Sequence, residues 1–330
     1  MSDAQPIYLS IVVPVYNEER NVAQLVARIS DALRSVQKPT EIVLVDDGSS
    51  DGSLAAMKAL QSDTAEVVVV ELARNFGQHA AVMAGFSKCR GEIVVTLDAD
   101  LQNPPEEIPR LVAKMEEGYD VVGTVRKDRH DPWPRKLASR FVNSVVRRST
   151  GHDLHDYGCM LRAYSGETVR AMLDCPETHT FIPALAMVVA RNSSEIEVEH
   201  AARAAGESKY DLYKLLKLNL NLMMGFTSIP LRMVSLAGLI IAALGLLFAL
   251  LLIVRRFLGG PEAEGVFTLF GILFFFVGVQ IMATGIIGEY MARTYDEVRG
   301  RPRFLIRSVT TTSSAPAVGG AEGEASGPTP

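Results

Sequence analysis

The chain has 330 residues, 22% of them charged and 48% hydrophobic, with a formal net charge of −5 at pH 7. That length suits one large α/β domain plus an appendage, and the acidic balance argues against a nucleic-acid binder, which needs a basic face. Three scattered cysteines, Cys89, Cys159 and Cys175, include no Cys-X-X-Cys pair and fit a reduced compartment without structural disulfides.

The polar start leads into Leu9-Ser10-Ile11-Val12-Val13-Pro14, which predicts a short strand and not the apolar core of a signal peptide. Strand-like runs recur at 11–15, 42–45, 67–72, 93–97 and 121–125, separated by helical stretches such as 22–35 and 53–61. This alternation predicts an α/β domain with a largely parallel sheet and functional loops at the strand C-termini. Polar residues fall in those loops. Asn17-Glu18-Glu19 follows the first strand and Asp46-Asp47-Gly48-Ser49-Ser50-Asp51-Gly52 the second. Arg74-Asn75-Phe76-Gly77 follows the third, where Arg74 and Asn75 either line a nucleotide or brace the loop. There is no GxGxxG after the first strand and no GxxxxGK[ST] anywhere, which disfavours a dinucleotide dehydrogenase and a P-loop NTPase.

The fourth strand ends in Val94-Val95-Thr96-Leu97-Asp98-Ala99-Asp100-Leu101-Gln102. In an extended segment, residues two apart face the same side, so Asp98 and Asp100 converge and Gln102 adds a carbonyl. Three oxygen ligands at a strand end suit Mg²⁺ or Mn²⁺. A solvated acidic turn is the competing reading of Asp-X-Asp taken alone.

Beyond the fifth strand, Arg126, Lys127, Arg129, Arg135, Lys136, Arg140, Arg147 and Arg148 face only Asp128 and Asp131. The helix-like stretch 135–148 interleaves them with Leu137, Phe141, Val142 and Val145, a pattern of a membrane surface or of an amphipathic core helix. The six histidines show no HxxxH or HExxH spacing, so a zinc site is not expected. Residues 210–226 alternate Leu and Met with Lys214, Lys217 and Asn219, as a helix lying on a bilayer does.

Segments 233–254 and 266–287 are almost wholly apolar, about 22 residues each, enough to cross a bilayer core. A pair of buried core helices is the alternative. Lys209, Lys214, Lys217 and Arg232 precede them, and Arg293, Arg299, Arg301, Arg303 and Arg307 follow. That excess over Arg255 and Arg256 in the Gly-Gly-Pro hairpin puts both ends in the cytoplasm. The domain expectation is a catalytic domain over 1–207, an interfacial helix over 208–230, and two transmembrane helices with a short periplasmic hairpin over 231–290. A cytoplasmic segment over 291–330 closes the chain, disordered after about 308, where Ser, Thr, Gly, Ala and Pro dominate.

Several of these segments together carry a resemblance. Val12-Val13-Pro14-Val15-Tyr16-Asn17-Glu18, Val45-Asp46-Asp47-Gly48-Ser49-Ser50-Asp51 and Leu97-Asp98-Ala99-Asp100 resemble the family-2 glycosyltransferases of the GT-A, Rossmann-like fold. Asp98-Ala99-Asp100-Leu101-Gln102-Asn103-Pro104-Pro105-Glu106 with two C-terminal spans is similar to the polyprenyl-phosphate branch. Asn75-Phe76-Gly77-Gln78-His79, the run from Gly118 to Arg126, Asp156-Tyr157-Gly158-Cys159 and Gly206-Glu207-Ser208-Lys209-Tyr210 resemble its aminopentose-transferring members.

The resemblance, from about residue 9 to 307, implies an inverting, metal-dependent transfer. The donor would be UDP-4-deoxy-4-formamido-L-arabinose and the acceptor undecaprenyl phosphate. The site would be the cytoplasmic face of the bacterial inner membrane, and the product would feed lipid A modification and resistance to cationic peptides. It also implies a homo-oligomer, a tetramer. By resemblance Pro14, Tyr16, Glu18, Asp46 and Asp47 hold uracil and ribose, with Asp98 on the nucleotide side. Arg203 and Lys209 belong to a loop that closes over the diphosphate, unless they form an ordinary basic loop before the interfacial helix. Arg126, Arg135 and Ser139 grip the lipid phosphate. Asp156 lies beside the acceptor, orienting it or taking a residual proton, unless it only caps a turn.

A metal at Asp98, Asp100 and Gln102 would act as a Lewis acid toward the leaving UDP. A phosphate monoester has a second pKa near 6, so the acceptor is already nucleophilic at pH 7 and needs cations more than a strong base. Three other functions compete. They are a polyprenyl-phosphate hexosyltransferase using UDP-glucose, a processive synthase and a non-catalytic membrane scaffold. The synthase is disfavoured by the absence of Gln-X-X-Arg-Trp, Trp133 being the one tryptophan.

Overall fold

A computed structural model describes residues 6–126, 159–175, 181–198, 229–259 and 266–312. At its centre lies β1 (Leu9–Val15), flanked in parallel by β2 (Thr40–Asp46) and β4 (Ile93–Thr96). Leu9, Ile11, Val12, Val13 and Val15 are all fully buried, as a strand covered on both faces requires. β3 (Glu66–Leu72) continues the parallel run beyond β2. The five strand-like runs of the sequence therefore lie on β1 to β5, the last being Val121–Arg126.

The sheet departs from the parallel expectation at its margins. β6 (Arg162–Ser165) lies antiparallel to both β4 and β5, and β8 (Ile306–Thr312) lies antiparallel to β3. Across β5 to β8 the order is β5-β6-β4-β1-β2-β3-β8. Residues 308–312, expected to open a disordered tail, are thus part of an edge strand. β-branched Val309, Thr310, Thr311 and Thr312 suit a pleated edge, and Glu71 of β3 fastens it by accepting from Ser308 Oγ at 2.9 Å and pairing with Arg307 at 3.2 Å.

Helices cover the sheet. α1 (Val22–Leu33) buries Val22, Leu25, Val26, Ile29 and Leu33, the stripe that helical periodicity demands. α2 (Ser53–Ala59) is short. α3 (Gln78–Phe86) is buried from Ala81 to Phe86. A Cβ at its Gly85 would stand 2.4 Å from Val12 Cγ1, so helix and sheet touch backbone to side chain. α4 (Ile108–Met115) follows a 3-10 turn, Pro105–Glu107, and buries Ile108, Leu111, Val112 and Met115.

One buried charge network fastens the N-terminal end of the strands. Glu41, fully buried, accepts Ser10 Oγ–H and the Arg90 backbone N–H, each at 2.6 Å, and Arg90 Nε–H at 2.8 Å. Arg90 continues to Glu66 at 2.6 Å. Removing the cation strands a buried carboxylate. Arg90→Met is expected to cost about 3 kcal/mol, read as a lowered Tm of the full chain, and an unchanged Tm would refute the network's role.

The described residues form two compact units. One comprises residues up to Val122, Leu161–Val169 and those from Phe304 onward; the other comprises the residues between. α5 (Gly166–Asp174) begins in the first unit. The second unit holds α6 (Ile182–Val189), β7 (Ser193–Val198) and two long helices, α7 (Ile229–Gly259) and α8 (Val266–Val298). Leu236, Leu239, Leu244, Phe275 and Ile281 of these helices are exposed, an apolar surface suited to lipid. Among the described residues, Phe275–Ala292 of α8 is long and apolar enough to cross a membrane, and α7 contains a shorter apolar run, Met233–Gly245. The two predicted spans therefore fall on two helices, one of which meets the crossing criterion. The expected basic helix 135–148 and interfacial helix 210–226 lie outside the described residues. Cys89, Cys159 and Cys175 form no disulfide among the described residues.

Candidate functional site

β1 is where the strand order reverses, with β2 on one side and β4 on the other. Crevices form at the C-terminal edge of such a switch point. The registers Val15↔Asp46 and Val12↔Thr96 end the three strands side by side. Val12 C=O accepts from Leu97 N–H and Val15 C=O from Asp47 N–H. Pro14, two residues beyond Val12, turns its missing N–H toward the β4 side, where pairing has already stopped at Thr96. A proline is tolerated in this central strand because the strands have begun to part there.

The loops after β1 and β2 are woven together. Asn17 adopts φ +56°, which Asn tolerates better than most residues. Its Oδ1 accepts Ser50 N–H at 2.8 Å, and its own N–H donates to Ser49 Oγ at 3.1 Å. Glu18 N–H donates to Ser53 Oγ at 2.8 Å, and Glu18 Oε2 accepts from Asn21 at 2.6 Å. The ring of Tyr16 is left half exposed at the rim.

Asp46 and Asp47 are both buried. Asp46 Oδ1 accepts Ser49 N–H at 3.3 Å. Asp47 reaches the β3–α3 loop, accepting Phe76 N–H at 2.7 Å on Oδ1 and Gly77 N–H at 2.9 Å on Oδ2. Burial pushes the Asp47 carboxyl up; the two N–H bonds oppose this, and the Asp46 charge adds to it. Between them, Gly48 at φ +68° lets the two loops meet: a Cβ there would lie 2.6 Å from Arg74 C and Asn75 N. The Arg74 guanidinium sits 4.5 Å over the Phe76 ring, which favours its bracing role.

The acidic pair follows β4. The strand ends at Thr96 and the chain turns, with Leu101 at φ +59°. Asp98 and Asp100 are therefore brought together by a turn and not by strand alternation. Asp98 Oδ1 accepts from Gln78 Nε2 at 2.5 Å and Oδ2 from Asn103 Nδ2 at 3.4 Å. Asp100 accepts Gln102 N–H at 3.2 Å and the Gln102 side-chain amide. Asp98 is pushed up to about 7, first by burial, then by the charge of Asp100, with Gln78 pulling the other way. Two carboxylates in a part-buried turn, with a tethered amide beside them, offer oxygen atoms of the kind hard divalent cations prefer. Among the described residues no group of three His, Cys, Asp or Glu side chains could hold a metal ion.

Residues 10–188 match the model of glycosyl transferase family 2. The chain belongs to that family. Over 313 residues it is 52% identical to the undecaprenyl-phosphate 4-deoxy-4-formamido-L-arabinose transferase of Edwardsiella ictaluri (strain 93-146), covering 94% of this chain and 96% of that protein. Among solved structures it is similar to glucosyl-3-phosphoglycerate synthase from Mycobacterium tuberculosis. With Mn²⁺, UDP and glucosyl-3-phosphoglycerate bound, that enzyme is 19% identical at a TM-score of 0.49, covering 66% of this chain and 78% of that one. Its UDP complex is 21% identical at a TM-score of 0.48, covering 67% and 79%.

For this family-2 glycosyltransferase, the structure brings Pro14, Tyr16, Glu18, Asp46, Asp47, Asp98, Asp100 and Gln102 to the ends of three adjacent strands. Arg135, Ser139, Asp156, Arg203, Lys209 and the side chain of Arg126 lie outside the described residues. Sequence reasoning missed Gln78 and Asn103 as partners of Asp98. The available signal for Gln78 was its place directly after Gly77, at the first turn of a helix facing the strand ends.

The elevated Asp98 carboxyl makes a stability prediction. It titrates near 7 when folded and near 3.9 when unfolded. The penalty for folding with the charge is absent below the unfolded value, grows with pH, and levels off above about 7. Asp98→Asn removes it. In EDTA, the variant is expected to match wild type in Tm near pH 4 and exceed it increasingly toward pH 7. A Tm difference independent of pH would refute this.

Proposed function

We propose that the chain transfers 4-deoxy-4-formamido-L-arabinose from its UDP derivative to undecaprenyl phosphate with inversion. The observation that carries the reading is 52% identity over 94% of the chain to a transferase so named, and the acidic turn at the switch point supports it. An oxygen of the acceptor phosphate bonds to the sugar anomeric carbon, the bond from that carbon to UDP breaks, and its electron pair leaves with UDP.

Asp98, Asp100 and Gln102 would hold Mg²⁺ or Mn²⁺. When bound, that ion supplies positive charge for the leaving diphosphate. Tyr16 offers its exposed ring to the base, while Glu18, Asp46 and Asp47 supply acceptors for imide and ribose donors beside Pro14. Arg126, Arg135 and Ser139 would position the lipid phosphate, with Asp156 at its side. Arg203 and Lys209 would cover the diphosphate. Because the phosphate acceptor is already largely dianionic at pH 7, these groups have mainly to orient it.

The exposed apolar surfaces of α7 and α8 support membrane attachment. β8 pairs with β3 in one sheet, so the chain between them leaves and returns on the same side of any bilayer. The number of crossings is then even. With Phe275–Ala292 long enough to cross, parity supports a second crossing by α7 and a cytoplasmic catalytic unit in the bacterial inner membrane.

Detergent-purified full chain, undecaprenyl phosphate and either UDP-formamidoarabinose or UDP-glucose, with and without EDTA, provide the test by mass spectrometry of lipid products. An EDTA-sensitive formamidoarabinosyl lipid is expected. A hexosyl lipid alone would overturn the donor, and no product from folded protein would overturn the reaction.

A further inference from the structure

The β3–α3 loop joins the nucleotide half of the site to its acidic half. Asp47, at the end of β2, takes the N–H groups of Phe76 and Gly77, one on each carboxylate oxygen. Gly77, at φ +94°, then turns the chain into α3. The helix cannot drift: Ala81 to Phe86 are buried, and Gly85 is seated against Val12 and Val45 of the central strands. Gln78 is the first residue of this fixed helix, and its Nε2 donates to Asp98 Oδ1 at 2.5 Å. Among the described residues, the other oxygen of Asp98 has the longer contact with Asn103, at 3.4 Å.

We propose that Gln78 is a positioning residue that holds Asp98 with one oxygen engaged and the other presented to a divalent cation, and that Asp47 fixes Gln78 through the intervening loop. The inference rests on the reading of Asp98 as a cation ligand. Outer partners of ligating carboxylates fix which oxygen faces the ion, and their loss costs 10- to 100-fold in metal affinity. A free Asp98 would rotate about its side-chain torsions and lose that pre-set geometry. Gln78 suits the task chemically: its amide donates without adding a cation that would compete with the metal.

The test is Mn²⁺ titration of the detergent-purified full chain, followed by the electron paramagnetic resonance of free Mn²⁺, in wild type, Gln78→Met, Asp98→Asn and the double variant. Thermal unfolding reports folding throughout. Gln78→Asn, the same amide one methylene shorter, replaces the Met variant if that one unfolds. The expected result is a 10- to 100-fold weaker Mn²⁺ affinity in Gln78→Met, greater loss in Asp98→Asn, and no further loss in the double variant. If Asp98→Asn loses Mn²⁺ while Gln78→Met binds like wild type, the role of Gln78 is overturned and the ligand reading stands. Additive losses in the double variant would overturn it also, because Gln78 would then act elsewhere. Wild-type affinity in Asp98→Asn would overturn the ligand reading and this inference with it.

Discussion

Asp100→Ala is expected to lower kcat/KM by about 10³ or more. Charge stabilisation of a leaving diphosphate by a bound metal is worth several kcal/mol, and each 1.36 kcal/mol is tenfold in rate. The substitution also releases Gln102, whose backbone N–H and side-chain amide both donate to Asp100. Two of the three proposed ligands are therefore disturbed by one change. Asp98, raised first by burial and then by the charge of Asp100, would meanwhile lose the second of these causes. Product formation measured by mass spectrometry, with thermal unfolding alongside, decides the matter. Activity within tenfold of wild type would remove Asp100 from the metal site.

Gly48→Ala is expected to destabilise the chain by about 2–4 kcal/mol, combining overpacking against rigid neighbours with a left-handed residue that carries a side chain. The new Cβ would stand 2.6 Å from Arg74 C and Asn75 N. These are backbone atoms and cannot swing aside as a side-chain tip can. The loops after β2 and β3 must separate, and the bonds from Phe76 and Gly77 to Asp47 lengthen with them. UDP affinity, measured by calorimetry on the full chain, should fall at least about tenfold, the equivalent of one lost hydrogen bond to a charged group. A variant with wild-type Tm and UDP affinity would show that the two loops need not touch.

The central fold was legible because its signals are local. β1, β2 and β3 are dense in Val, Ile and Leu, and a strand buried on both faces must be so. β6 is Arg-Ala-Tyr-Ser, four residues whose pairing is set by β4 and not by their own pattern. β8 was hidden for a related reason: Thr-rich sequence reads as a polar tail until the free edge of β3 is known to lie beside it. In the site, Asp98, Asp100 and Gln102 stood out as candidates by chemistry and spacing. Their geometry did not, since the turn depends on the φ of Leu101. Gln78 contacts Asp98 across 20 residues of sequence. That contact is created by the packing of α3 on β1 and β2, which no local pattern encodes.

The position of β8 dictates an order of events during synthesis. A ribosome makes β3 early, but the strand that covers its edge emerges only after α7 and α8. Until then β3 keeps a row of unpaired backbone groups open to other chains. The nascent catalytic unit is thus completed only after α7 and α8 have been made, and a chain stalled before residue 306 carries an unfinished sheet. Sheet closure is thereby tied to synthesis of nearly the whole chain, and a product ending before β8 is expected to surface as an aggregation-prone, protease-sensitive species.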